Sequence, residues 1–200
     1  MHLNSRRLFA KHARPYFQSG MRVLEIGPDR HPSTYQVIVA DDSVVWHTLG
    51  ITASPNYTYV APGEYEFPVE ENSYDLVLSG QVIEHVRMPW RWMQEIARVT
   101  RPGGHVVTVN PMNWGFHRSP VDCWRIFPDG MSALYEDAGL ETVLAICDSL
   151  ETWGDRLNGA GLRWVIKHLK RRPYPLKGAP FFAEDTLSIA RKPIAPPEVP

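Results

Sequence analysis

The chain has 200 residues, 44% hydrophobic and 22% charged, with a formal net charge of −1. That length suits one domain with a sizeable core, and the near-neutral charge gives no electrostatic case for a nucleic-acid partner. No run approaches the roughly 18 consecutive apolar residues of a membrane span, the basic N-terminal stretch lacks an apolar signal core, and two cysteines, Cys123 and Cys147, are too few for a disulfide framework. The expectation is a cytoplasmic protein with no stable membrane insertion.

In chain order, residues 3–19 read as an amphipathic helix with Leu3, Leu8, Ala10 and Phe17 inward and Arg6, Arg7, Lys11 and Arg14 outward. Met21–Gly27 is a short apolar run closing on glycine, a buried strand. Residues 32–40 form a short helix with Pro32 in its first turn. Val44–Leu49 is a second strand, and the Pro- and Gly-rich stretch 52–73 holds at most a short strand near Tyr57–Val60. Tyr74–Ser79 is a third clear strand. Residues 89–99 make a helix opened by Pro89, then Arg101-Pro102-Gly103-Gly104 turns into a strand at His105–Val109. Residues 129–139 form a helix with Asp129 as N-cap and Gly139 as stop. Thr142–Cys147 and Asp185–Ala190 are the last strands, with a helix over 150–172 between them. Its basic stretch Leu162–Arg172 reads as a packed helix with a solvated face, and 149–184 as a lid or insertion. The domain runs over 1–193, with a disordered tail at 194–200.

Strands alternating with helices predict an open α/β sheet, mostly parallel. Ligands in such sheets bind beyond the carboxyl ends of the strands, so function should gather after Gly27, Leu49, Ser79 and Val109. Gly27 allows close backbone approach. The run Gly27-Pro28-Asp29-Arg30-His31-Pro32 lacks the further glycines of a dinucleotide loop, and proline removes an N–H that a pyrophosphate would use. A nicotinamide oxidoreductase is therefore disfavoured.

The run Val23-Leu24-Glu25-Ile26-Gly27 resembles motif I of the class I S-adenosylmethionine (SAM)-dependent methyltransferases. Glu66-Phe67-Pro68-Val69 ahead of Tyr74-Asp75, the segment Tyr74–Ser79 followed by Val82-Ile83-Glu84-His85-Val86, and Arg101-Pro102-Gly103-Gly104 resemble three further elements of that superfamily, in order. The resemblance covers roughly residues 5–148. It implies a Rossmann-like fold with a mostly parallel seven-stranded sheet flanked by helices, and SAM as cofactor. Glu25 and Gly27 would lie beside the methionine part of SAM, Glu64 and Tyr65 beside the adenine, and Ser79, Gly80 and Gln81 near the transferred methyl. Two positions depart from the pattern. Asp29 replaces the second motif I glycine, and Gly50 stands where the family has an acid for the ribose hydroxyls, a loss worth about 1–3 kcal/mol of cofactor binding. Water, a backbone carbonyl, Asp41 or Asp42 could substitute.

Residues 110–130 place His117, Arg118, Asp122, Trp124 and Arg125 on a long loop after a buried strand, the usual position of a substrate site. Methyl transfer to an alcohol needs alignment and removal of the hydroxyl proton. A neutral histidine suits that near pH 7. His117 is the expected general base, with Asp122 orienting it. Trp114, Trp124, Arg125 and His85 are expected substrate contacts, although Arg125 is equally suited to clamp Asp122 or Asp129. Cys123 is expected to be buried and inert. Glu84, His85, His117 and Asp122 could hold a divalent metal such as magnesium. The segment Asn110–Gly130 is similar to a methyltransferase subgroup found with glycan biosynthesis enzymes, which implies a sugar or oligosaccharide hydroxyl as acceptor. A non-sugar small-molecule acceptor and a catalytically degenerate scaffold are the alternatives. A homodimer is compatible with this chain, though no heptad or long apolar edge demands it.

Overall fold

A computed structural model describes residues 2–118, 121–151 and 184–194. The expected helix over 150–172, most of the lid and the tail lie outside the described residues. Seven strands make one sheet: β1 (Arg22–Ile26), β2 (Val45–Gly50), β3 (Tyr59–Val60), β4 (Tyr74–Gly80), β5 (Thr100–Pro111), β6 (Glu141–Asp148) and β7 (Asp185–Arg191). Their order is β3-β2-β1-β4-β5-β7-β6. The first five are parallel, and β7 runs antiparallel to both β5 and β6. Strand order reverses between β1 and β4, and that switch point is where an open α/β sheet opens a crevice.

Alternation along each buried strand divides the core in two. Leu24, Ile26, Val77 and Val106 face one side with Trp92, Met93 and Ile96 of α3 (Pro89–Val99) and Met131 and Tyr135 of α4 (Pro128–Asp137). Val23, Leu76, Leu78, Val107, Leu187 and Ile189 face the other, under the N-terminal helix and α2 (Thr34–Val39). α3 buries Pro89, Trp92, Met93, Ile96 and Ala97 at helical spacing, which makes a continuous apolar stripe against the sheet.

Several local expectations are corrected. The N-terminal segment is α-helical only over α1 (Leu3–Leu8), then continues as a π-turn at Phe9–Ala13 and a 3-10 turn at Arg14–Tyr16. The π-turn shifts the phase, so the buried face is Asn4, Ser5, Leu8, Phe9 and Ala13, and Leu3 and Ala10 are exposed. Pro32 precedes α2, whose N-cap is Ser33 accepting from the Gln36 amide. Asp129 lies in the first turn of α4, which begins after Phe127 with Pro128 at its start. Arg101–Gly104 is an irregularity inside β5: Tyr74 pairs with Thr100, but Leu76 next pairs with His105. Gly103 takes φ +79° there.

Candidate active site at the switch point

Beyond the carboxyl ends of β1 and β2 lies a concave cleft. Its floor is Ile26, Gly27, Leu49 and Gly50, and its walls include Tyr57, Glu64, Phe67, Val82, His85 and Trp92. Two glycines shape it. Gly27 has φ +66°, and a Cβ there would stand 2.6 Å from Val82 Cγ2. A Cβ on Gly50 would meet the Tyr57 ring at 2.1 Å. Gly50, where the resemblance implies an acid, is thus a small residue covered by an aromatic ring. Asp41 and Asp42 do not substitute for it. They precede β2, and Asp41 binds Ser19 and Ser43, whereas the cleft lies at the far end of a six-residue strand, about 20 Å away.

Glu64 borders the cleft and is paired with Arg87. Tyr65 turns away from the lining: its hydroxyl donates to Glu64 (2.7 Å) and accepts from the Met88 amide (3.2 Å). Glu25 is buried and accepts from Trp46 Nε1 (2.8 Å). Burial pushes its pKa up to about 7, although the Ser33 and Trp46 hydrogen bonds favour the ion. Ser79 is buried, its hydroxyl without a hydrogen-bond partner among the described residues, and Gly80 gives way to Tyr35, whose hydroxyl would be 2.2 Å from a Cβ there. Gln81 takes φ +60° and sends its side chain to Ser5 (3.1 Å) and Asp185 (3.0 Å), away from the cleft. Asp185 also accepts from Asn4 (2.8 Å) and Ser5 (3.2 Å), and burial raises its pKa. The sequence reading missed this network because its members are 181 residues apart in the chain.

The loop after β5 is tied down from within. Asn110 Nδ2 donates to the Ile126 carbonyl (3.0 Å), joining the loop's two ends. Asp122 receives Arg125 through two contacts (2.6 and 3.0 Å) and the His117 backbone amide (2.7 Å). The Arg125 guanidinium holds the Asp122 carboxyl well below the usual range, at about 2. Arg125 also donates to the Trp114 and Trp124 carbonyls, so it is the clamp of this loop. Asp122 is paired with Arg125 rather than hydrogen-bonded to the imidazole: His117 Nδ1 lies 3.6 Å from it and 3.0 Å from the Gly115 carbonyl. Cys123 is exposed, not buried, because its backbone amide docks the loop on the Glu84 carbonyl (2.7 Å) and leaves the side chain outside.

His85 and His117, 32 positions apart, meet edge to face with ring centroids 5.0 Å apart. The Trp124 indole is pinned to the Val86 carbonyl (2.8 Å) and faces Trp90, and the Trp114 ring lies against His2. Glu84 is 1% exposed, and burial pushes its pKa up to about 7. Among the described residues, no helix is long and apolar enough to cross a membrane.

Residues 31–108 match the methyltransferase-domain family. A curated uncharacterised methyltransferase of Mycobacteroides abscessus is 48% identical over 50 residues, 25% of this chain and 19% of the relative. The chain spans less than two-fifths of the length of the curated relatives it matches. Among solved structures, phosphoethanolamine N-methyltransferase 2 of Haemonchus contortus, in complex with phosphomonomethylethanolamine and S-adenosylhomocysteine, superposes with a TM-score of 0.63 at 14% identity, covering 96% of this chain and 53% of that one. The [4+2]-cyclase SpnF superposes with a TM-score of 0.63 at 18% identity, covering 94% and 80%. The chain is thus similar to methyltransferase-domain proteins over residues 31–108, and its fold is that of these solved structures.

Proposed function

We propose that the protein transfers the methyl group of SAM to a hydroxyl of a sugar or oligosaccharide. The observation that carries this reading is the meeting of His85 and His117 at the rim of the switch-point cleft, with His85 itself in the lining. The apolar cleft floor and the Tyr57 ring suit the adenosyl group. Two buried carboxylates near the ends of β1 and β7, namely Glu25 and Asp185, suit the sulfonium and ammonium charges of SAM. A cation brought near them would favour their ionised forms.

The sulfonium is already an activated leaving group, so the protein must align a hydroxyl oxygen with the methyl carbon and accept its proton. The Gly115 carbonyl can only accept a hydrogen bond, so His117 Nδ1 carries the proton and Nε2 is left as the basic atom. In this reading the hydroxyl proton passes to His117 Nε2, the new C–O bond forms as the C–S bond breaks, and S-adenosylhomocysteine leaves as a neutral thioether. Asp122 and Arg125 hold the loop that carries His117. Trp114 and Trp124, both partly exposed, offer apolar faces to a pyranose ring.

Calorimetry with SAM and S-adenosylhomocysteine, followed by methyl transfer to short mannosides and glucosides, tests the proposal. We expect binding of both cofactors and transfer lost in His117→Ala. Absence of binding at millimolar ligand would overturn it in favour of a scaffold role. Transfer only to non-sugar hydroxyls would overturn the carbohydrate part alone.

A further inference from the structure

Glu84 presents an unusual arrangement. Its side chain is buried, and among the described residues neither carboxylate oxygen receives a hydrogen bond from another residue. Burying a carboxylate without donors is costly, and such a group is expected to have a partner. His85 stands beside it, with Nε2 3.8 Å from Glu84 Oε1. One potential ligand atom from each of Glu84, His85 and His117 falls within 4.8 Å of the other two.

Both imidazoles are oriented as metal ligands are. His85 Nδ1 contacts the Val121 carbonyl, and His117 Nδ1 contacts the Gly115 carbonyl. A carbonyl fixes the proton on Nδ1 and leaves the Nε2 lone pair free, which is the usual second contact of a metal-bound histidine. Asp122, by contrast, is saturated by Arg125 and the His117 amide.

We propose that Glu84, His85 and His117 form a binding site for one divalent transition cation. Two imidazoles and one carboxylate suit manganese, iron, cobalt or zinc better than magnesium or calcium, which prefer all-oxygen shells. Ligand atoms on a common ion of this kind sit about 3 Å apart, so the three side chains close by about 1–2 Å on binding. Three protein ligands leave positions open for the hydroxyl oxygens of an acceptor. This inference rests on the hydroxyl-acceptor reading and changes one role within it: His117 then holds the acceptor through the cation rather than as a free base.

The test is a titration of the chelator-treated full chain with Mn²⁺, following free ion by electron paramagnetic resonance, with S-adenosylhomocysteine binding measured in parallel. The expected result is one saturable Mn²⁺ per chain that raises the melting temperature. Glu84→Gln and His117→Gln should each weaken Mn²⁺ by at least about tenfold and keep S-adenosylhomocysteine binding. Glu84→Gln should also raise the melting temperature of the metal-free chain, because it removes a buried charge. An undiminished free-ion signal with wild type at millimolar Mn²⁺, or unchanged affinity in both variants, would overturn the site. Cofactor binding without Mn²⁺ binding sinks the cation and spares methyl transfer. Mn²⁺ binding without cofactor binding does the reverse.

Discussion

The two halves of the site are built in opposite ways. The proposed cofactor side is shaped by what is missing: Gly27, Gly50 and Gly80 leave room for Val82, Tyr57 and Tyr35 respectively, and its walls are mainly apolar. The proposed acceptor side is shaped by what is present: a loop whose described residues have no regular structure, held by Asn110, the Asp122–Arg125 pair and the docking of Cys123 on Glu84. A rigid apolar cleft set in a sheet suits one ligand of fixed shape. A loop carried on a rigid scaffold can change its acceptor without disturbing the core. The halves should therefore respond separately to substitution.

The largest effect is expected at His117. His117→Ala should lower kcat by at least about 100-fold while S-adenosylhomocysteine affinity, measured by calorimetry, stays within about twofold. A parallel loss of cofactor affinity would break the separation. Next is Gly27→Val. A β-branched residue at φ +66° costs about 1–2 kcal/mol and meets Val82 as well, so cofactor affinity should fall by about tenfold or more. Unchanged affinity would show that the cleft floor is not the cofactor site.

Gly80→Ala should destabilise the fold by about 1–3 kcal/mol in urea titration, because Tyr35 is fully buried and has no room to retreat. Adding Tyr35→Phe should recover part of that loss, since it removes the nearest atom. The pH dependence follows from Glu25 and Glu84, both raised to about 7. Between their ordinary values near 4.5 and about 7, the folded chain keeps protons that the unfolded chain has lost. Stability should therefore fall as pH rises through that window, by at most about 1.4 kcal/mol per pH unit per group. Glu84→Gln should flatten the slope. The smallest effect is expected for Asp122→Asn, a KM for acceptor raised about threefold with cofactor affinity unchanged, as a weakened Arg125 clamp loosens the loop.

The cleft at the ends of β1 and β2 was legible in the sequence because its signals are local. A strand ending in Glu25-Ile26-Gly27 announces both its burial and the edge where a ligand sits, and the backbone adopts φ +66° at that glycine. The acceptor loop was legible as a location, not as a wiring diagram. Which atom Asp122 holds depends on where Arg125 folds, and three residues along an irregular loop leave that undetermined. Gln81 shows the same limit: its position after β4 is clear, yet a left-handed backbone turns its side chain toward Asp185.

Hydrophobic periodicity, glycine placement and motif order by themselves determined an alternating α/β chain and the edge of the sheet where the cleft opens, because each follows from residues within a few positions of one another. Only the tertiary structure decided that Tyr57 covers Gly50, that Asn4, Ser5 and Gln81 share the buried Asp185, and that Glu84 lies unpartnered beside His85 and His117. Those contacts join distant segments, and their geometry is set by how helices and loops pack across the two faces of the sheet.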